Sequence, residues 1–156
     1  MRLLLDAIYS SPAQLLEKAE KDGAALVSAL RRYDEAAVRD ALFNFAVTAY
    51  HICDWVKAYR PDLAATNPLD LHESLRACRD LANASKHVVL TQTQGPYLRH
   101  PPIVQEVAMS APPFVADRAV SWRLKIQLPG RRIPTEELVR EALEAWKQYF
   151  TDHSIK

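Results

Sequence analysis

Apolar residues recur at helical spacing from Ser11-Pro12 onward, where Leu15, Leu16, Ala19, Leu26, Val27 and Leu30 share one face and Gly23 is the weak point. Asp34 is placed to cap a second helix over about 35–59, which Arg60-Pro61 stops, because a proline ring disfavours helical backbone in the residue before it. Asn67-Pro68-Leu69-Asp70 restarts the pattern with a capping side chain, a proline suited to the first helical position and a carboxylate at the positive end of the dipole. That third helix is expected to run to about Lys86 and to bury Leu71, Leu75, Cys78 and Ala82. From His87 the character changes, with Val88, Val89 and Leu90 leading to the break at Gly95-Pro96. A period of two is clearest where Val120, Trp122, Leu124, Ile126 and Leu128 alternate with Ser121, Arg123, Lys125 and Gln127. A weaker strand covers 103–109, and Pro101-Pro102, Pro112-Pro113 and Pro129-Gly130 read as turns. A closing helix over about 135–150 turns Leu138, Val139, Ala142, Leu143, Trp146, Tyr149 and Phe150 to one side. The expected fold is mainly α in an α+β arrangement: a four-helix bundle with a small three-stranded antiparallel β insert, about 87–130, before the last helix. Residues 1–156 read as one domain.

Composition narrows the function more than the fold. Twenty Lys and Arg against nineteen Asp and Glu leave a net charge of +1, so no global field draws the chain to nucleic acid or an anionic membrane, and polyanion binding must be local. The run Leu3–Leu5, interrupted by Asp6, is too short for a signal core, and no stretch approaches the roughly 20 apolar residues that span a bilayer. The expectation is a cytoplasmic protein without membrane contact. Cys53 and Cys78, each inside a helical pattern, fit buried reduced thiols.

Candidate chemistry lies on the third helix. At about 100° per residue, His72, Arg76, Arg79, Asn83 and Lys86 fall within about 80°, with His87 at the edge and Asp80 beside Arg79. Such a cationic stripe is either a solvated helix face or the lining of a groove or subunit contact. His and Asn are poor helix formers, so their presence is not explained by propensity. The second helix is apolar almost all round yet carries Asn44, Thr48 and His51 on one line, with Asp54 nearby. Buried polar groups need partners, and the third helix is the expected source. His51 and Asp54, one turn apart, also suit a pair in which the carboxylate fixes the imidazole tautomer, the alternative being a satisfied core histidine.

Long helices followed by Arg79-Asp80-Leu81-Ala82-Asn83-Ala84-Ser85-Lys86-His87 resemble the HEPN superfamily of small helical bundles, which includes toxin and antiviral ribonucleases and noncatalytic members. The family motif is Arg, a polar residue and, after four to six intervening residues, His. Arg79 and Asp80 match its start and His87 its end, with a longer spacing; taking Asn83 as the polar residue restores the spacing and puts Ala82 at the Arg position. The resemblance implies a homodimer of a defence or toxin-type system whose two His87-bearing helices meet to cleave RNA without metal. His87 is then the proton-transfer group, Arg79 the phosphate holder and Asn83 a positioning residue. Lys86 adds charge, and His51, Asp54, His72, Arg76 and Asp80 are the surrounding binding residues.

Three glycines in the whole chain leave no phosphate-binding loop, and no Cys-x-x-Cys or His-Glu-x-x-His occurs, so neither cofactor nor metal is expected. Ser85 lacks the glycine-flanked turn of a hydrolase nucleophile. The competing class is a noncatalytic module that binds a protein, nucleotide or RNA partner. Arg123, Lys125, Arg131 and Arg132 form a second basic area, a phosphate site or a solvated sheet face.

Overall fold

The computed structural model describes residues 8–63, 65–86, 103–109 and 120–156, which form a mainly helical fold with a small antiparallel sheet. Helix α1 (Pro12–Arg31) starts where extended Ser11 accepts a hydrogen bond from the Gln14 amide, with Pro12 in the first turn, where its missing N–H is not needed. Helix α2 (Glu35–Tyr59) starts in the same way at Asp34, which accepts from the Ala37 amide. Between them the Tyr33 amide donates to the Leu30 carbonyl and the Asp34 amide to the Ala29 carbonyl, a Schellman closure with Tyr33 left-handed at φ 54°.

The expected third helix is two helices. Helix α3 (Pro68–Leu71) begins at Asn67, which accepts from the Leu69 amide, and ends at His72, whose backbone is extended at φ −128° and ψ 119°. Helix α4 (Glu73–Lys86) follows. In one continuous helix Leu71 would share the face of Leu75 and Cys78, and Leu69 would lie about 160° from Leu71. The break reverses this: Leu69 is 6% exposed and Leu71 66%. The Arg76 guanidinium donates to the carbonyls of Leu69 and Asp70 at 3.1 and 3.0 Å, satisfying groups the break leaves without helical partners.

Helix α5 (Thr135–Asp152) packs on α1, α2 and α4, and α2 packs on α1 and α4. Leu26, Phe45, Ile52, Leu75, Leu138 and Trp146 form the inaccessible centre. Strand β1 (Ile103–Met109) pairs antiparallel with β2 (Val120–Leu128), Ile103 opposite Ile126 and Met109 opposite Val120. Strand β3 (Arg131–Pro134) returns along β2 through a two-residue turn, where Gly130 takes φ 72° after Pro129. It carries the sheet past residue 130, through a segment whose charged residues masked its single inward Ile133. The candidate strand at 88–90 lies outside the described residues. Ile126, Leu128 and Ile133 are buried beneath the helices, and the Thr135 hydroxyl donates to the Leu124 carbonyl at 2.8 Å, tying α5 to β2.

Gly23 is a packing position rather than a weak point. A Cβ there would stand 2.7 Å from Val139 Cγ1 and 3.3 Å from the Phe45 ring, because α1, α2 and α5 converge at this glycine. Valine is stiff at χ1, so Gly23→Ala is expected to lose about 1–3 kcal/mol to overpacking, set against about 1 kcal/mol of helix propensity. Chemical denaturation should show a net loss that Val139→Ala partly restores in the double variant. A Gly23→Ala protein more stable than its parent would show that the three helices do not meet so closely.

Candidate functional site

The structure sorts the predicted residues into three places. Arg79 and Asp80 lie on α4, which packs on α2; both charges reach the Tyr50 phenol, and that of Arg79 also reaches Cys53. The Arg79 Nε–H donates to Asp80 Oδ1 at 2.9 Å and its Nη2 stands 2.8 Å from the same oxygen. Their side chains are 26% and 13% exposed, so this ion pair is shielded but open on one side. Asn83, one turn further along, is half-buried. Lys86 ends α4, and His87 lies outside the described residues.

His72 and Arg76 do not join this group. The break before Glu73 takes His72 out of the helical register, and it lines a shallow pocket with Arg131, Glu141 and Gln148 on the α5 side. Arg76 binds the end of α3, as described above. The expected continuous stripe is therefore divided by a conformational break that no glycine or proline marks.

On α2 the polar line is also divided. Thr48 is buried, and its partners come from α1, not from α4: its hydroxyl donates to Asp22 Oδ2 at 2.6 Å and accepts from Lys18 Nζ at 3.0 Å. Lys18 and Asp22 close the triangle at 2.5 Å. This network joins α1 to α2 and satisfies the one hydroxyl deep in their interface. Asn44 and Asp54 are exposed, and the His51 ring meets Tyr50 at a tilt of 44° with centroids 5.8 Å apart. No hydrogen bond pairs His51 with Asp54.

Tyr50 is the site residue that sequence reasoning missed, since its only signal was a place beside His51 in an apolar helix. Burial, then the Asp54 carboxylate, raises its phenol above the ordinary range, with Arg79 opposing. The phenol stays neutral at physiological pH and can donate a hydrogen bond next to the Arg79 guanidinium. Cys53 and Cys78 are free and buried between α2 and α4, and loss of hydration pushes both thiols up to about 12. Inert thiols of this kind are packing groups, not nucleophiles.

The second basic area is largely paired. Arg131 meets Glu141 at 3.1 Å and Glu73 at 3.5 Å, and the Arg132 Nε–H donates to Gln127 at 2.9 Å. Among the described residues no group of three or more His, Cys, Asp or Glu is arranged to hold a metal ion. Nor is any helix among them long and apolar enough to cross a membrane. Comparison with protein-family models, characterised proteins and solved structures finds no match to this chain.

Proposed function

We propose that the α4 site cleaves RNA by metal-independent transesterification, as a HEPN-like four-helix bundle carrying a three-stranded insert. The observation that supports this reading is the placement of the partly shielded Arg79 within electrostatic reach of Tyr50 of the neighbouring helix, with the half-buried Asn83 one turn along α4. In the reaction the ribose 2′-oxygen attacks phosphorus and the bond to the 5′-oxygen breaks, leaving a 2′,3′-cyclic phosphate and a 5′-hydroxyl. His87 takes the 2′ proton, and the partner copy's imidazole protonates the leaving oxygen in a homodimer whose α4 ends meet. Arg79 holds the phosphate as charge develops. The setting is a cytoplasmic defence or toxin-type system.

One observation favours a second reading, a noncatalytic module that binds RNA or a protein. The Arg79 guanidinium is held by Asp80, and a phosphate must compete with that carboxylate. Incubation with mixed RNA in chelator distinguishes the two. Cleavage is expected to leave cyclic-phosphate ends, to spare DNA, and to fall by about a hundredfold or more in His87→Ala. Intact RNA with the folded parent protein rejects the nuclease and leaves the binding module.

A further inference from the structure

We propose that the cavity between the end of α1, strand β2 and the start of α5 binds a nucleoside monophosphate. The cavity measures about 710 Å³, within the range of small-molecule sites. Three elements send cations to it: Arg31 from α1, Lys125 from β2 and Arg140 from α5. Arg140 is already held by Glu144 at 2.9 Å, whereas Arg31 is exposed and forms no ion pair with any described residue. Arg31 thus supplies the charge for a phosphate, with Lys125 and Arg140 adding to the positive field of the wall. The adjoining start of α5 follows Pro134, which supplies no side-chain cap, so its first amides add to the same positive field.

Tyr33 supplies the aromatic surface. It lines the cavity, is 55% exposed, and occupies the left-handed closing position of α1, which favours glycine. The fold bears that backbone cost to keep a phenol ring at the rim, where a base can stack on it. Glu136 and Glu137 also line the cavity. Glu137 lies 3.9 Å from both Arg131 and Arg140, so its charge is shared. Glu136 is exposed and suits a ribose, whose hydroxyls donate to a carboxylate. Cations for phosphate, carboxylate for sugar and aromatic for base together describe a ribonucleotide better than a bare anion, which the two glutamates would disfavour.

This site is separate from the α4 site and does not depend on RNA cleavage. Titration calorimetry of the full chain with adenosine 5′-monophosphate should give saturable one-to-one binding that weakens with salt. Adenosine and inorganic phosphate should each bind at least about tenfold more weakly. Arg31→Glu and Tyr33→Ala should each cost about tenfold, with Tyr33→Phe retaining affinity. Tyr33→Gly should lose affinity while its thermal midpoint rises, separating the ring's role from stability. Absence of saturable binding at millimolar nucleotide, or equal binding by the folded Arg31 and Tyr33 variants, overturns the proposal.

Discussion

Trp146→Ala is expected to destabilise the protein by about 3–5 kcal/mol, a large share of the roughly 5–15 kcal/mol that holds a typical domain together. The indole is completely buried, and its N–H donates to the Ala49 carbonyl of α2 at 2.9 Å. It also meets Tyr149 and Phe150 edge-on at 5.9 and 6.1 Å. Truncation therefore removes the largest buried side chain of α5 together with its bond to α2. Thermal unfolding followed by circular dichroism should shift down by on the order of 10 °C. Trp146→Phe keeps a ring and loses the donor, and should cost about 2 kcal/mol. A loss under about 1 kcal/mol for Trp146→Ala would mean that α5 does not dock on α2 through this residue.

Stability should also fall steeply in alkali. Cys53 and Cys78 ionise at about 12 when folded and at ordinary thiol values, about 8.5, when unfolded. Between these values the unfolded chain has released protons that the folded chain retains, so rising pH favours unfolding. Stability from these groups is complete below about pH 8.5, declines by up to about 1.4 kcal/mol per pH unit for each thiol, and is gone near pH 12. Urea midpoints measured from pH 7 to 11 should hold to about pH 8.5 and then drop. The Cys53→Ala/Cys78→Ala protein should lose most of that slope below pH 10, where Tyr50 and Tyr149, also raised by burial, are still neutral in both states. An unchanged slope in that variant would place the thiols in contact with water.

What was legible in the sequence is what local physics controls. Ser11, Asp34 and Asn67 each accept a hydrogen bond from an amide of the helix they begin, and Pro61 follows the end of α2. The buried Ile126 and Leu128 follow the period of two, and α5 buries the face its apolar spacing marks. These signals lie within a few residues of the structure they specify. The candidate site was legible only in part: Arg79, Asp80 and Asn83 share α4, but Tyr50 beside them carries no spacing signal. The tertiary structure decided the rest. His72 breaks a locally good helix because the core accepts Leu69 and rejects Leu71, and Arg76 is consequently drawn to the carbonyls of α3. Thr48 is satisfied from α1 because Lys18 and Asp22 lie opposite it across the helix interface. Arg31, Lys125 and Arg140 meet at one cavity only when α1, β2 and α5 pack together. The sequence by itself determined where most elements start, stop and turn their apolar faces, whereas which side chains meet across them depends on packing between segments far apart in the chain.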